Sequence, residues 1–163
     1  MSRLLFDLES ILQQLIVEHR KLLKHVEAHQ ASMKTMSLDA MDQASNQQEA
    51  SRLRIVTMEN NRRTIIAQLA QQHKISGEIT ISRLAKLFPQ RGEALLKLRD
   101  ELKKTILQIQ TRTHIAGRLA GAVLGHLNTV VRLIAGAVER AGIYTKSGVP
   151  KVSTRIGVME AVG

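Results

Sequence analysis

The sequence predicts an all-α protein: an elongated antiparallel bundle of about three long helices, with a short extra helix and a C-terminal tail. Near the N-terminus, apolar residues recur at alternating steps of three and four, the heptad spacing of a helix that packs along another helix. The 163 residues include only two prolines, three aromatic residues and no cysteine, so the core must be aliphatic and suits helix packing. The stripe consists of Leu5, Leu8, Leu12, Leu15, His19, Leu22, Val26, His29, Met33 and Met36.

Helix ends are indicated by capping residues and breaks in the periodicity. Ser2 and Ser37 are predicted N-caps of the first two helices. The second helix is predicted to run through a polar segment, 42–51, that lacks an apolar stripe but is rich in helix formers. Thr80 or Ser82 caps the short helix, and Pro89 ends it. The predicted helices span about 2–35, 38–73, 81–88 and 91–141.

The last helix is the longest predicted element, and Gly142 is its expected stop. Its apolar positions step by three, four or longer gaps from Leu95 to Val138. Residues 142–163 lack an amphipathic period and predict a tail that is flexible or ordered by a partner. The expected organisation is therefore a helical bundle over 1–141 and a C-terminal tail over 142–163.

Three glycines interrupt this last helix at four-residue spacing, at Gly117, Gly121 and Gly125. Each interior glycine costs a helix about 0.8–1 kcal/mol relative to alanine. Two explanations stay open. The glycines either form a seam where a second helix approaches closely, or they keep the helix loose so that it can adjust to a partner.

The composition argues against enzymatic chemistry. Without cysteine, disulfides, thiol catalysis and cysteine zinc sites are excluded. No serine–histidine–aspartate set or phosphate-binding glycine loop is present, and the carboxylates alternate with Lys and Arg as on a solvated helix face. His25 and His29 share one helix face, as zinc ligands would, but histidine at the edge of a stripe is more often structural. We expect no enzyme, no cofactor and no metal.

The formal charge of +10 suits nucleic acid, an anionic membrane or an acidic protein as a partner. The basic residues are spread over the whole chain, and aromatic stacking platforms are lacking, so nucleic acid is only an alternative. The most apolar segment contains Arg118, His126 and Arg132, which disfavour a membrane span. No segment has the pattern of a signal peptide. We expect a soluble cytoplasmic protein without membrane insertion.

Two turn regions carry a family resemblance. The sequence MSLDAM, Met36 to Met41, stands between the first two helices, and RAGIYTKSGVP follows the last helix, with Gly142, Tyr144 and Gly148. The chain resembles the FlgN-type flagellar export chaperones, in which a long leucine-rich helix opens the chain. In that family a sequence like GDLEAL is common at the first turn, and Tyr-x-x-x-Gly or Tyr-x-x-Gly is common after the last helix.

The resemblance implies a function without catalysis or cofactor. FlgN-type proteins bind the C-terminal helical segments of the hook–filament junction proteins in the cytoplasm. They keep these clients soluble and deliver them to the flagellar type III export apparatus. By resemblance, Tyr144 is expected to contact the export gate or to cover the empty client groove. Alternatively, it caps the end of the bundle.

The last helix is the best candidate for the client groove, because its apolar residues occupy more than one face. One set can meet the bundle while another stays open for a partner helix. Two other functions stay open: a basic nucleic-acid-binding protein, and a homodimeric coiled-coil scaffold. The predicted partner-binding residues are Leu119, Val123, Leu127, Val130, Val131, Ile134, Val138 and Tyr144.

Overall fold

A computed structural model describes the backbone of residues 3–143 and the side chains of residues 3–136. Within this range the chain is helical apart from the turns and a short loop between the second and third helices, which confirms the predicted all-α class. The described helix ends differ from the predicted ones by at most two residues. The helices are α1 (Arg3–Lys34), α2 (Leu38–Gln72), α3 (Ile81–Leu87) and α4 (Pro89–Ile143).

One predicted helix stop is confirmed and one differs from the structure. The short helix ends at Leu87, before Pro89, as predicted, and Pro89 is the first residue of α4, where proline is favoured because the first helical N–H needs no partner. Gly142 was expected to stop the last helix, but α4 continues through it to Ile143. The predicted N-cap Ser2 lies outside the described residues.

The predicted stripe of α1 forms the centre of the core. Eight of its ten positions are buried, and the leucines at 8 and 15 are completely inaccessible. His29 is half-buried. Met36 is exposed because it lies in the turn after α1. The buried positions are Leu5, Leu8, Leu12, Leu15, His19, Leu22, Val26 and Met33.

The turn between α1 and α2 reverses the chain through a left-handed residue. Met36 has φ 54°. Its N–H donates to the carbonyl of Met33 at 3.2 Å, and the N–H of Ser37 donates to the carbonyl of Ser32 at 3.1 Å. This hydrogen-bond pattern is the Schellman motif, which satisfies the last carbonyls of a helix. Lys74, with φ 52°, is the equivalent left-handed residue in the turn after α2.

The polar first half of α2 pairs with α1 through hydrogen bonds. Ser51 is completely buried, and its hydroxyl donates to Glu18 Oε1 at 2.9 Å. Arg54 Nε donates to the same oxygen at 2.8 Å. Further along, Gln48 Nε2 lies 2.8 Å from His29 Nδ1. Residue numbers fall on α1 as they rise on α2, so the two helices are antiparallel. Polar groups therefore replace the missing apolar stripe in this part of the interface.

The Glu18 carboxylate is the most buried charge of this interface, with its side chain 4% exposed. Burial by itself raises the pKa of Glu18. The hydrogen bonds from Arg54 and Ser51 and the charges of Arg54 and Lys21 together outweigh it, so that the pKa lies below the usual 4.5. The ionised form is therefore the one that the folded protein stabilises.

Helix α4 joins α1 on another side. Three ion pairs link the two helices, and residue numbers rise together along both, so α1 and α4 are parallel. The acidic partner comes from α1 in two pairs and from α4 in the third. The pairs are Glu9 with Arg91, Arg20 with Glu101, and Glu27 with Arg112. The α4 residues buried in this part are Leu95, Leu102, Thr105 and Ala116.

The short helix α3 approaches α4 closely at a single glycine. The N–H of Arg83 donates to Thr80 Oγ1 at 3.1 Å, which confirms Thr80 rather than Ser82 as the N-cap. A Cβ atom added to Gly92 would lie 2.6 Å from the carbonyl oxygen of Ala85. This distance is shorter than real contacts of a Cβ atom, so the position requires glycine.

The predicted glycine seam is not found among the described residues. A Cβ atom added to Gly117, Gly121 or Gly125 would meet no other atom within 4 Å. The interpretation of these glycines as a site of close helix approach is therefore wrong for the described part of the chain. A loose helix stays the open alternative.

The chain divides into two compact units, of which the first ends at Ala120 and the second begins at Gly121. The first unit contains α1, α2, α3 and the beginning of α4. The predicted division into a bundle over 1–141 and a tail over 142–163 stays a prediction, since residues 144–163 lie outside the described part.

We expect Glu18→Gln to lower the free energy of unfolding by about 1–3 kcal/mol at pH 7, since it weakens hydrogen bonds to a buried charge. The folded pKa of Glu18 is depressed, so its contribution is present above the unfolded value of about 4.5 and is lost as the pH falls through the folded value. As the pH decreases, the free energy of unfolding of the variant should therefore fall less steeply than that of the wild type. Urea unfolding from pH 3 to pH 7 measures both effects.

The control is Glu93→Gln, which removes a carboxylate from an exposed ion pair with Lys97. Exposed pairs contribute little to stability, so this variant should behave like the wild type. Equal losses in the two variants would contradict a special role for the buried Glu18.

Two glycine substitutions should have opposite effects on stability. Gly92→Ala forces a backbone contact apart, and we expect it to cost about 1–3 kcal/mol. Gly121→Ala meets open space and gains the helix propensity of alanine, about 0.8–1 kcal/mol for its helix. Thermal unfolding followed by circular dichroism separates the two. A neutral Gly92→Ala would show that α3 shifts easily.

Candidate partner-binding surface

An exposed apolar surface lies on the part of α4 that belongs to the second unit. We call it the distal stripe and define it as the described members of the predicted partner-binding set in that unit: Val123, Leu127, Val130, Val131 and Ile134. Val123 is half-buried, and the other four are exposed, Ile134 by 59%. Leu119, also in the predicted set, lies in the first unit and is half-buried. The side chain of Val138 and the whole of Tyr144 lie outside the described residues.

Two further apolar side chains extend this surface. Leu124 is 62% exposed and Leu133 is 65% exposed. They are not among the predicted partner-binding residues, because they lie beside the stripe rather than on it. The helical period nevertheless predicts the wide apolar arc that they form with the stripe.

The distal stripe continues the pattern that is buried earlier in α4. Steps of three or four residues lead from Leu102 through Thr105 and Ile109 to Ala116, and the same steps lead on to Ile134. Helix α4 has 55 residues, whereas α1 has 32 and α2 has 35. At about 1.5 Å per residue, α4 is about 30 Å longer than α2. The described part of the second unit contains only the end of α4, so no other helix of that unit covers the stripe there.

The opposite side of this segment carries three glycines. At about 100° per residue, Gly117, Gly121 and Gly125 lie on the side of α4 away from the distal stripe. Since a side chain there would meet nothing within 4 Å, both sides of the helix are open within the described part. Interior glycines lower helix propensity, so the segment that carries the stripe is locally weak.

The electrostatic character of this part of α4 is uniformly basic. Between residues 102 and 136 the sequence has no aspartate or glutamate. The basic residues of this range are Lys103, Lys104, Arg112, Arg118 and Arg132. Arg112 forms an ion pair with Glu27 at 3.6 Å. The other four basic residues form no ion pair with any described residue.

Two histidines, His19 and His29, take part in helix packing. His19 is buried, and its Nδ1 lies 2.7 Å from the carbonyl oxygen of Leu15, so that this nitrogen is the donor. His29 Nδ1 contacts the amide of Gln48. Over residues 3–136 no three histidine or acidic side chains come together as metal ligands would.

Helix α4 also contains a segment that is long and apolar enough to cross a membrane, judged by length and composition. Its mean hydropathy is 1.4 over 18 residues, and no part of that window is buried within the described structure. The exposed distal stripe and its neighbours give this value. Arg118 and Arg132 interrupt the same region.

Comparison with protein families gives one match. The family model described as FlgN protein matches residues 1–151, a range that includes both turn motifs and the whole distal stripe. No curated protein and no solved structure matched the chain. Because the family match covers most of the sequence, this all-α protein with an uncovered apolar stripe on its last helix belongs to the FlgN family of flagellar export chaperones.

Proposed function

We propose that this protein is a cytoplasmic chaperone that binds the C-terminal helices of hook–filament junction proteins and escorts them to the flagellar type III export apparatus. The observation that carries the proposal is the exposed distal stripe of α4 in a member of the FlgN family. The choice of junction proteins as clients rests on the resemblance of the chain to FlgN-type chaperones.

The distal stripe has the spacing that recognises an amphipathic helix. Leu127, Val131 and Ile134 follow each other at steps of four and three, so a client helix can set anchors at i, i+3, i+4 and i+7 against them. Complete burial of such a side chain contributes about 1.5–3 kcal/mol. The same contact covers the apolar face of the client, which would otherwise drive its assembly or aggregation in the cytoplasm.

The proposal assigns no catalysis. A chaperone of this kind needs reversible binding, and a locally weak helix suits it because the surface can adjust to the client before release. Val138 and Tyr144 follow the distal stripe in the sequence. We assign Val138 to the client contact and Tyr144 to the contact with the export gate.

We expect the double variant Leu127→Asp/Ile134→Asp to bind the C-terminal segment of its hook–filament junction protein at least about tenfold more weakly, because a helix cannot bury unpaired carboxylates. Fluorescence anisotropy with the labelled client segment measures the affinity of the full chain. Circular dichroism confirms that the variant is folded.

The matched control is Leu53→Asp/Val56→Asp on α2, where the leucine is 61% and the valine 56% exposed. It introduces the same charges on another surface and should retain client affinity. Unchanged binding in the α4 variant would refute the assignment of the distal stripe. A mass that doubles with concentration, or salt-sensitive binding of nucleic acid without client binding, would favour the scaffold or the nucleic-acid alternative.

A separate effect is expected at Tyr144. If it contacts the export gate, Tyr144→Phe and Tyr144→Ala should leave client affinity within about twofold while Tyr144→Ala reduces secretion of the junction protein. Secretion is measured in the culture medium of cells that carry each variant. Loss of client affinity in Tyr144→Ala would place this residue in the client contact.

A further inference from the structure

A second surface lies within the first unit, in a groove between α1 and α4. The groove has a volume of about 610 Å³, within the range of about 300–1,000 Å³ that is common for ligand clefts. Leu23 of α1 and Leu107 and Ile115 of α4 line it. Leu107 is 53% and Ile115 is 38% exposed, so apolar side chains face water here too. None of the groove residues belongs to the distal stripe.

The acidic side chains of the groove are paired with cations of the same chain, whereas two of its lysines form no ion pair with a described residue. Two acidic residues line it, and each has a cation of its own chain: Asp100 accepts from Arg99 at 2.7 Å, and Glu27 lies 3.6 Å from Arg112. Lys103 and Lys104 also line the groove, are exposed, and form no ion pair with any described residue. The uncompensated charge beside the apolar side chains is therefore positive.

We propose that this groove binds an acidic amphipathic helix of a partner protein, with apolar anchors against Leu107 and Ile115 and carboxylates against Lys103 and Lys104. Leu107, Thr111 and Ile115 are four residues apart on one helix, and such a row is complementary to the side chains of a second helix. Charge complementarity selects the acidic partner, because like charges at this edge would repel.

Two other occupants fit the groove less well. A second copy that used the same groove would bring two pairs of unpaired lysines together. A nucleic acid would meet the lysines, but its phosphates would leave Leu23, Leu107 and Ile115 against polar groups, and no aromatic side chain lines the groove for base stacking. The inference does not rest on the proposed client contact, since the two surfaces share no residue.

The test uses two helical peptides of about 18 residues, which is about five turns. They share one leucine face and carry either glutamates or lysines beside it. We expect the full chain to bind the glutamate peptide at least about tenfold more tightly than the lysine peptide, measured by anisotropy at 0.15 M salt. The variant Lys103→Glu/Lys104→Glu should reverse this preference.

The control variant Lys34→Glu/Lys86→Glu has the same change in net charge. Both lysines are exposed, lie outside the groove and form no ion pair with a described residue. It should keep the preference for the glutamate peptide, which separates the groove lysines from the general basic charge of the chain. An equal loss in both variants would overturn the proposal.

Photo-crosslinking locates the bound peptide. The chain has no cysteine, so Thr111→Cys carries a single benzophenone in the groove. Thr57→Cys on α2 is its matched control, because both threonines are exposed and both hydroxyls donate to the carbonyl four residues earlier. We expect the glutamate peptide to crosslink from position 111 and not from position 57.

Several outcomes would overturn the inference. These are equal affinity for both peptides, affinity for neither, equal crosslinking from both positions, and binding that Leu127→Asp/Ile134→Asp abolishes while the lysine variant does not. Binding of anionic vesicles or DNA in place of the glutamate peptide would instead identify a general anion patch. Because the groove and the distal stripe are altered separately, failure of this inference leaves the client proposal untouched, and the reverse also holds.

Discussion

The constraint on which the rest of the structure depends is the burial of the apolar stripe of α1. Its buried positions repeat from Leu5 to Met33, and no single neighbour can cover a stripe of that length and width. Helix α2 packs against it in the opposite direction and α4 in the same direction. The ion pairs and the Glu18 cluster add little apolar area. They fix which residues face each other, which is the usual role of polar groups in a helical interface.

This arrangement leaves surplus apolar surface at two places. One is the distal stripe, because the described part of the second unit contains only the end of α4. The other results from the spacing of α1 and α4, which leaves a groove lined by Leu107 and Ile115. A soluble protein that keeps such surface exposed uses it for binding more often than not. For a member of a chaperone family, exposed apolar surface is an expected functional property.

The sequence was sufficient to predict the features that depend on periodicity and on local residue type. The three- and four-residue steps of α1 predicted its core positions, and residue type limited the cap of α3 to Thr80 or Ser82, of which the structure has Thr80. Glu18 was missed as a core residue, since its burial depends on Ser51 and Arg54 of another helix. Gly92 was missed for a similar reason, because only the approach of α3 makes glycine necessary there. The regular spacing of Gly117, Gly121 and Gly125 instead suggested a close helix approach, although a Cβ atom at any of them would meet nothing within 4 Å in the described structure.

The continuity of α4 has a consequence for the cost of forming the distal stripe. Starting a helix is unfavourable, since several residues must be fixed before the first hydrogen bond forms, whereas each further residue adds one bond. The first turns of α4 are held by the core of the first unit, and the same helix runs on to Ile143. The segment with the stripe therefore needs no nucleus of its own, even though its glycines make propagation weak. A binding helix that is nucleated by a folded domain can adapt to its partner and still has a low free-energy cost of ordering.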